Sequence, residues 1–148
     1  MERKMKYKYL PHTADVSFVA YGKDFKEALE NAAEALLNIM LDLKRIKKEK
    51  VATGTITIKE SADGADNLVW YVLQNILTHV DDKKLLAYAF QVDELEQEKG
   101  KELKVRGKLL FKKLEKDMFL LEVKAVTPHE LTVEKKKAGY EIRVTVDV

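Results

Sequence analysis

Hydrophobic positions along this chain change period several times, and each change marks an element. From Asp15 to Tyr21, Val16, Phe18 and Ala20 share one face and Asp15, Ser17 and Val19 the other, the two-residue period of a strand. Gly22 closes that strand. Asp24 then opens a helix, with Glu27 three residues on completing a capping-box-like start. Phe25, Leu29, Ala32, Ala33, Leu36, Ile39, Met40 and Leu43 keep helical spacing, and the helix is expected to end in the cations of Lys44–Lys50, which suit a helix C-terminus. Gly54–Glu60 alternates again, followed by the turn residues Ser61-Ala62-Asp63-Gly64. Asp66 is the expected cap of a second helix carrying Val69, Val72, Leu73, Ile76, Leu77 and Val80 inward, with Asp81-Asp82 at its end.

Tyr7–Leu10 is short and extended in character, and the second half reads mostly as strands: Leu85–Val92, Leu103–Phe111, Met118–Val126, Leu131–Val133 and Tyr140–Val148. Glu96–Lys101 and Glu115–Asp117 have the composition of hairpin connections. Two helices early and many strands late predict an α+β fold: a single domain over residues 1–148, a largely antiparallel β-sheet packed with two α-helices.

Composition narrows the function. At 148 residues with 46% hydrophobic and 35% charged, the chain has material for one core and reads as a folded soluble protein. A net charge of +2 supplies no strong whole-molecule attraction to nucleic acid or membrane. With no cysteine there is no disulfide, no zinc thiolate site and no thiol nucleophile. No secretion signal and no membrane-spanning run is visible, so a cytoplasmic protein without a membrane partner is expected. The excess of Lys and Glu over Asn and Gln is a composition common in hyperthermophile proteins.

Catalytic motifs are missing from the sequence. No glycine-rich phosphate loop or nucleophile elbow is present, and His12, His79 and His129 form no set with a nucleophile. His79 is expected at the surface or in a capping role. The basic runs Lys44–Lys50 and Lys135–Lys137 lack interleaved aromatics and read as solvated surface. What remains is acidic. His12-Thr13-Ala14-Asp15 stands near one end, and Asp147 and Val148 at the other, where Val148 is expected to carry the terminal carboxylate. In the last strand Ile142, Val144, Val146 and Val148 share a face opposite Arg143, Thr145 and Asp147. If the fold joined Asp15, Asp147 and Val148, their oxygen donors would suit Ca²⁺ or Mg²⁺ rather than zinc.

Tyr9-Leu10-Pro11-His12-Thr13-Ala14-Asp15 resembles the opening of the archease family, as do the strand, turn and Ala-rich helix that follow. Lys124-Ala125-Val126-Thr127-Pro128-His129-Glu130-Leu131 is similar to a second family segment, and Val144-Thr145-Val146-Asp147-Val148 to its final strand. Two departures stand out: Pro128 replaces a usual Tyr, and Gln74-Asn75 stands where a Glu is common. The resemblance implies a non-catalytic activator of RtcB-type RNA ligases, which promotes ligase guanylylation and repeated turnover in tRNA splicing. It implies a divalent ion at Asp15, Asp147 and Val148; His12 and His129 are candidate supporting residues beside it. Ca²⁺ is the ion it favours, with Mg²⁺ and Mn²⁺ as alternatives. The ligase is then the partner, and RNA contact is indirect or weak. The competing reading is an RNA-binding or chaperone-like module with no functional metal site.

Overall fold

The computed structural model describes residues 5–11, 15–97 and 102–148. In chain order the elements are β1 (Tyr7–Leu10), β2 (Val16–Gly22), α1 (Phe25–Met40), α2 (Leu43–Lys48), β3 (Thr53–Ala62), α3 (Ala65–Lys83), β4 (Leu86–Gln97), β5 (Leu103–Lys112), β6 (Ala125–Val126), β7 (Thr132–Lys136) and β8 (Gly139–Asp147). The class is the expected α+β, with every strand pair antiparallel, but the strands divide into two sheets. One runs β1-β2-β8-β6, with β7 also pairing β8; the other runs β3-β5-β4.

The long helices touch both sheets, α1 meeting β2, β8 and β4, and α3 meeting β3, β5, β6 and β7. This explains why α1 is buried around so much of its circumference. Ala28, Ala32, Ala33 and Ala35 allow close approach, while Leu29, Leu36 and Leu37 fill the space between, all with no exposed surface. Asp24 caps α1 through a 2.9 Å bond to the Glu27 N–H, and the Glu27 carboxylate returns to the Lys23 N–H at 2.9 Å.

Four expectations give way to local physics. The first helix does not run into the lysines: it stops at Met40, and Asp42 caps a separate short helix, α2, by accepting from the Arg45 N–H. The periodicity does not resolve the break, because Leu43 and Ile46 are buried just as the first helix's own residues are. Asp66 lies in the first turn of α3 instead of capping it; the cap is Gly64, and the helix closes at Lys84 in a left-handed conformation (φ 52°). Residues 113–124 form no hairpin, and of the Met118–Val126 run only Ala125 and Val126 are strand. The stretch is tied down elsewhere: Phe119 bridges Leu41, Asp42 donates to the Met118 carbonyl at 2.9 Å, and Leu120 donates to the Met40 carbonyl at 2.8 Å.

Candidate metal site at the ends of strands β2 and β8

The first and last long strands of the first sheet lie side by side. β2 and β8 pair from Gly22↔Tyr140 to Val16↔Val146. Continued by one residue, this register sets Asp15 across from Asp147, residues that are 132 positions apart in the chain. Alternation then decides the face. Phe18, Ala20, Ile142, Val144 and Val146 turn inward to the helices, so Ser17 and Thr145 turn outward with the two aspartates. Ser17 Oγ and Thr145 Oγ1 lie 2.7 Å apart, with 5% and 3% of their surface exposed. That buried cross-strand bond holds the strand ends in register directly beside the acids.

The neighbouring backbone is held as firmly. The Lys124 N–H donates to the Asp147 carbonyl at 2.7 Å, and the Thr127 N–H to the Thr145 carbonyl at 2.9 Å. Helix α3 reaches across to the same short strand: Trp70 Nε1 donates to the Val126 carbonyl at 2.8 Å, and Gln74 Oε1 accepts from the Val126 N–H at 3.1 Å. Sequence reasoning missed Trp70, the chain's only tryptophan, and noted Gln74 only as a departure from the family pattern. The Gln74-Asn75 departure thereby gains a structural account. Gln74 satisfies β6, and Asn75 donates to Glu60 at 2.7 Å.

On the outer side, Leu10, Pro11, Ser17, Glu130, Arg143 and Thr145 line a concavity of ≈ 540 Å³. Asp147 is exposed and Val148 half-buried against the core. His129 is exposed in the turn between β6 and β7; its neighbour Glu130 is the one that lines the concavity. His12 falls outside the described residues. His79 is half-buried on α3, with Nδ1 3.0 Å from the Asn75 carbonyl.

Like charges set across from one another at the end of a strand pair are unfavourable, and a cation shared between them would relieve this. The donors are all oxygen, which fits a hard divalent ion. Among the described residues no three His, Cys, Asp or Glu side chains cluster as a metal cage.

These features define a small α+β protein with two antiparallel sheets around a helical layer and an acidic strand-end pair. A family model described as the archease protein family (MTH1598/TM1083) matches residues 7–148, and the chain belongs to that family. It is 32% identical over 145 residues to the archease of Methanosarcina mazei, covering 97% of this chain and 96% of the relative. The archease of Archaeoglobus fulgidus is 33% identical over 145 residues, covering 97% and 100%. The solution structure of Methanobacterium thermoautotrophicum protein 1598 shares the fold, with a TM-score of 0.78 at 24% identity and coverage of 97% and 99%. No helix among the described residues is long and apolar enough to cross a membrane.

Proposed function

We propose that this chain is a non-catalytic activator of an RtcB-type RNA ligase and acts by presenting a divalent ion, Ca²⁺ first among the candidates, on Asp15, Asp147 and Val148. The observation that carries the reading is the β2–β8 register, which directs the two distant aspartates to one strand end. Family membership supports the partner. When bound, the ion would supply positive charge against phosphate oxygens in the ligase's nucleotide pocket.

The chain's own residues make the tip rigid. The Ser17–Thr145 bond prevents slippage of one strand past the other, and the Lys124 and Thr127 N–H groups tie the irregular stretch and the turn to β8. Trp70 and Gln74 anchor β6 to the helix layer, so the acids project from a fixed base. Asp15 and Asp147 would hold the ion, while the apolar face of β8 remains in the core.

Calorimetric titration with Ca²⁺ tests the site. Wild type should bind one ion. Asp15→Ala and Asp147→Ala should each abolish the heat of binding, and residues appended after Val148 should weaken it. Undiminished affinity in all three would remove the metal from the reading.

A further inference from the structure

The second sheet turns one face to the helices and leaves the other open, and the open face sorts its charges by strand. Alternation along β3 places Thr53, Thr55, Thr57, Lys59 and Ser61 outward; along β5 it places Lys104, Arg106, Lys108, Leu110 and Lys112 outward. These ten positions hold five cations, four hydroxyls and no acid. The acids of this face, Asp93, Glu94 and Glu96, all lie on the β4 side. Arg106 pairs with Glu94 at 2.6 Å, and Lys108 with Asp93 at 3.8 Å.

Among the described residues these cross-strand ion pairs reach Arg106 and Lys108 but not Lys59, Lys104 or Lys112. Lys59 and Arg106 are register partners, two like charges directly opposite, and Glu94 offsets only the Arg106 side of this pair. A concavity of ≈ 510 Å³ opens at this point, with Lys59, Ser61, Lys104 and Arg106 lining it, beside the carboxylates of Glu60, Glu94 and Glu96. Glu60 is turned toward α3, where it accepts from Asn75.

Spacing suits a particular anion. Alternate residues of a strand are ~6.7 Å apart, close to the step between successive phosphates of an extended polynucleotide. Lys104, Arg106, Lys108 and Lys112 thus form a ladder along which a backbone can run, with the β3 hydroxyls as donors beside it. Tyr88, under the Lys112 ammonium at 5.3 Å and 3.4 Å from the Thr53 hydroxyl, is the aromatic at the end of this row. We infer that the outer face of the β3-β5-β4 sheet binds single-stranded nucleic acid through its phosphates, with little base preference. It does so independently of the acidic tip, which sits on the other sheet.

The test is fluorescence anisotropy of a labelled oligouridylate with the full chain over a salt series. Binding should weaken with salt, with a log–log slope of about −3 for four phosphates. Lys104→Gln combined with Lys108→Gln should weaken it by about tenfold or more at low salt. Glu94→Gln combined with Glu96→Gln should tighten it, a gain that misfolding cannot imitate. Lys135→Gln with Lys137→Gln, in the β7–β8 hairpin of the other sheet, should change nothing. No binding at low salt, equal loss in the Lys135/Lys137 variant, tighter binding of duplex, or equal binding of polyglutamate would overturn the inference. Loss of Ca²⁺ binding in Asp147→Ala should leave oligouridylate binding intact; its loss there would also overturn the independence claimed.

Discussion

Ser17 and Thr145 look unremarkable in the sequence, yet their hydroxyls meet at 2.7 Å beside the acids. Replacing Ser17 by Ala leaves the buried Thr145 hydroxyl without this partner, an expected loss of about 1–3 kcal/mol in denaturant unfolding. The aspartates behave in the opposite sense. Without Ca²⁺, Asp147→Asn should leave stability unchanged or raise it by a few tenths of a kcal/mol, because one of two like charges that the register sets opposite is removed. With Ca²⁺, wild type should melt at a higher temperature than without, and the variant should not. Equal Ca²⁺-induced shifts in both proteins would contradict the site. At this scale much was legible: strand alternation already put Asp15 with Ser17 and Thr145 with Asp147. The pairing itself was not, since period says which face a residue takes and nothing about which strand lies alongside.

Among the elements, the small ones were hardest to read. α2 owes its start to Asp42, and Asp42→Ala should cost about 0.5–2 kcal/mol in the same unfolding assay. The break before it has no periodic signature, because Leu41 is buried by pairing with Phe119, a residue 78 positions later. β6 is two residues long and depends on α3 for support; Gln74→Leu should strip a partner from the Val126 N–H and loosen the turn carrying Glu130. Hydrogen exchange at Val126 should then accelerate; unchanged protection would show that Trp70 alone suffices. β1 is clasped to α1 in another way. Tyr9 donates to the Ala35 carbonyl at 2.8 Å, and burial, then the Glu34 carboxylate, pushes the Tyr7 phenol far above its usual range. Burial also raises Tyr9, partly offset by the Asn38 hydrogen bond. Both phenols hold their protons more tightly folded than unfolded. Their contribution is therefore complete below the unfolded value near 10 and declines as pH rises past it. Unfolding midpoints should fall above that pH, and less steeply in Tyr7→Phe.

Across the whole molecule, the helix layer separates two sheets with different outer chemistry. The β2–β8 end carries Asp15 and Asp147, the proposed cation site; the β3–β5 face carries the cations proposed to meet phosphates. The α+β class and the long helices followed from periodicity, since α1 and α3 bury unbroken stripes. The division into two sheets did not, because strand patterns are alike whichever sheet they join. The central claim is that the acidic tip serves a ligase. Its most direct test is covalent transfer of guanylate to an RtcB-type ligase supplied with GTP and a divalent ion, measured with and without this chain. The account predicts faster and more complete transfer with wild type, and none of that stimulation with folded Asp15→Ala or Asp147→Ala. Full stimulation by both variants, or none by wild type, would contradict it.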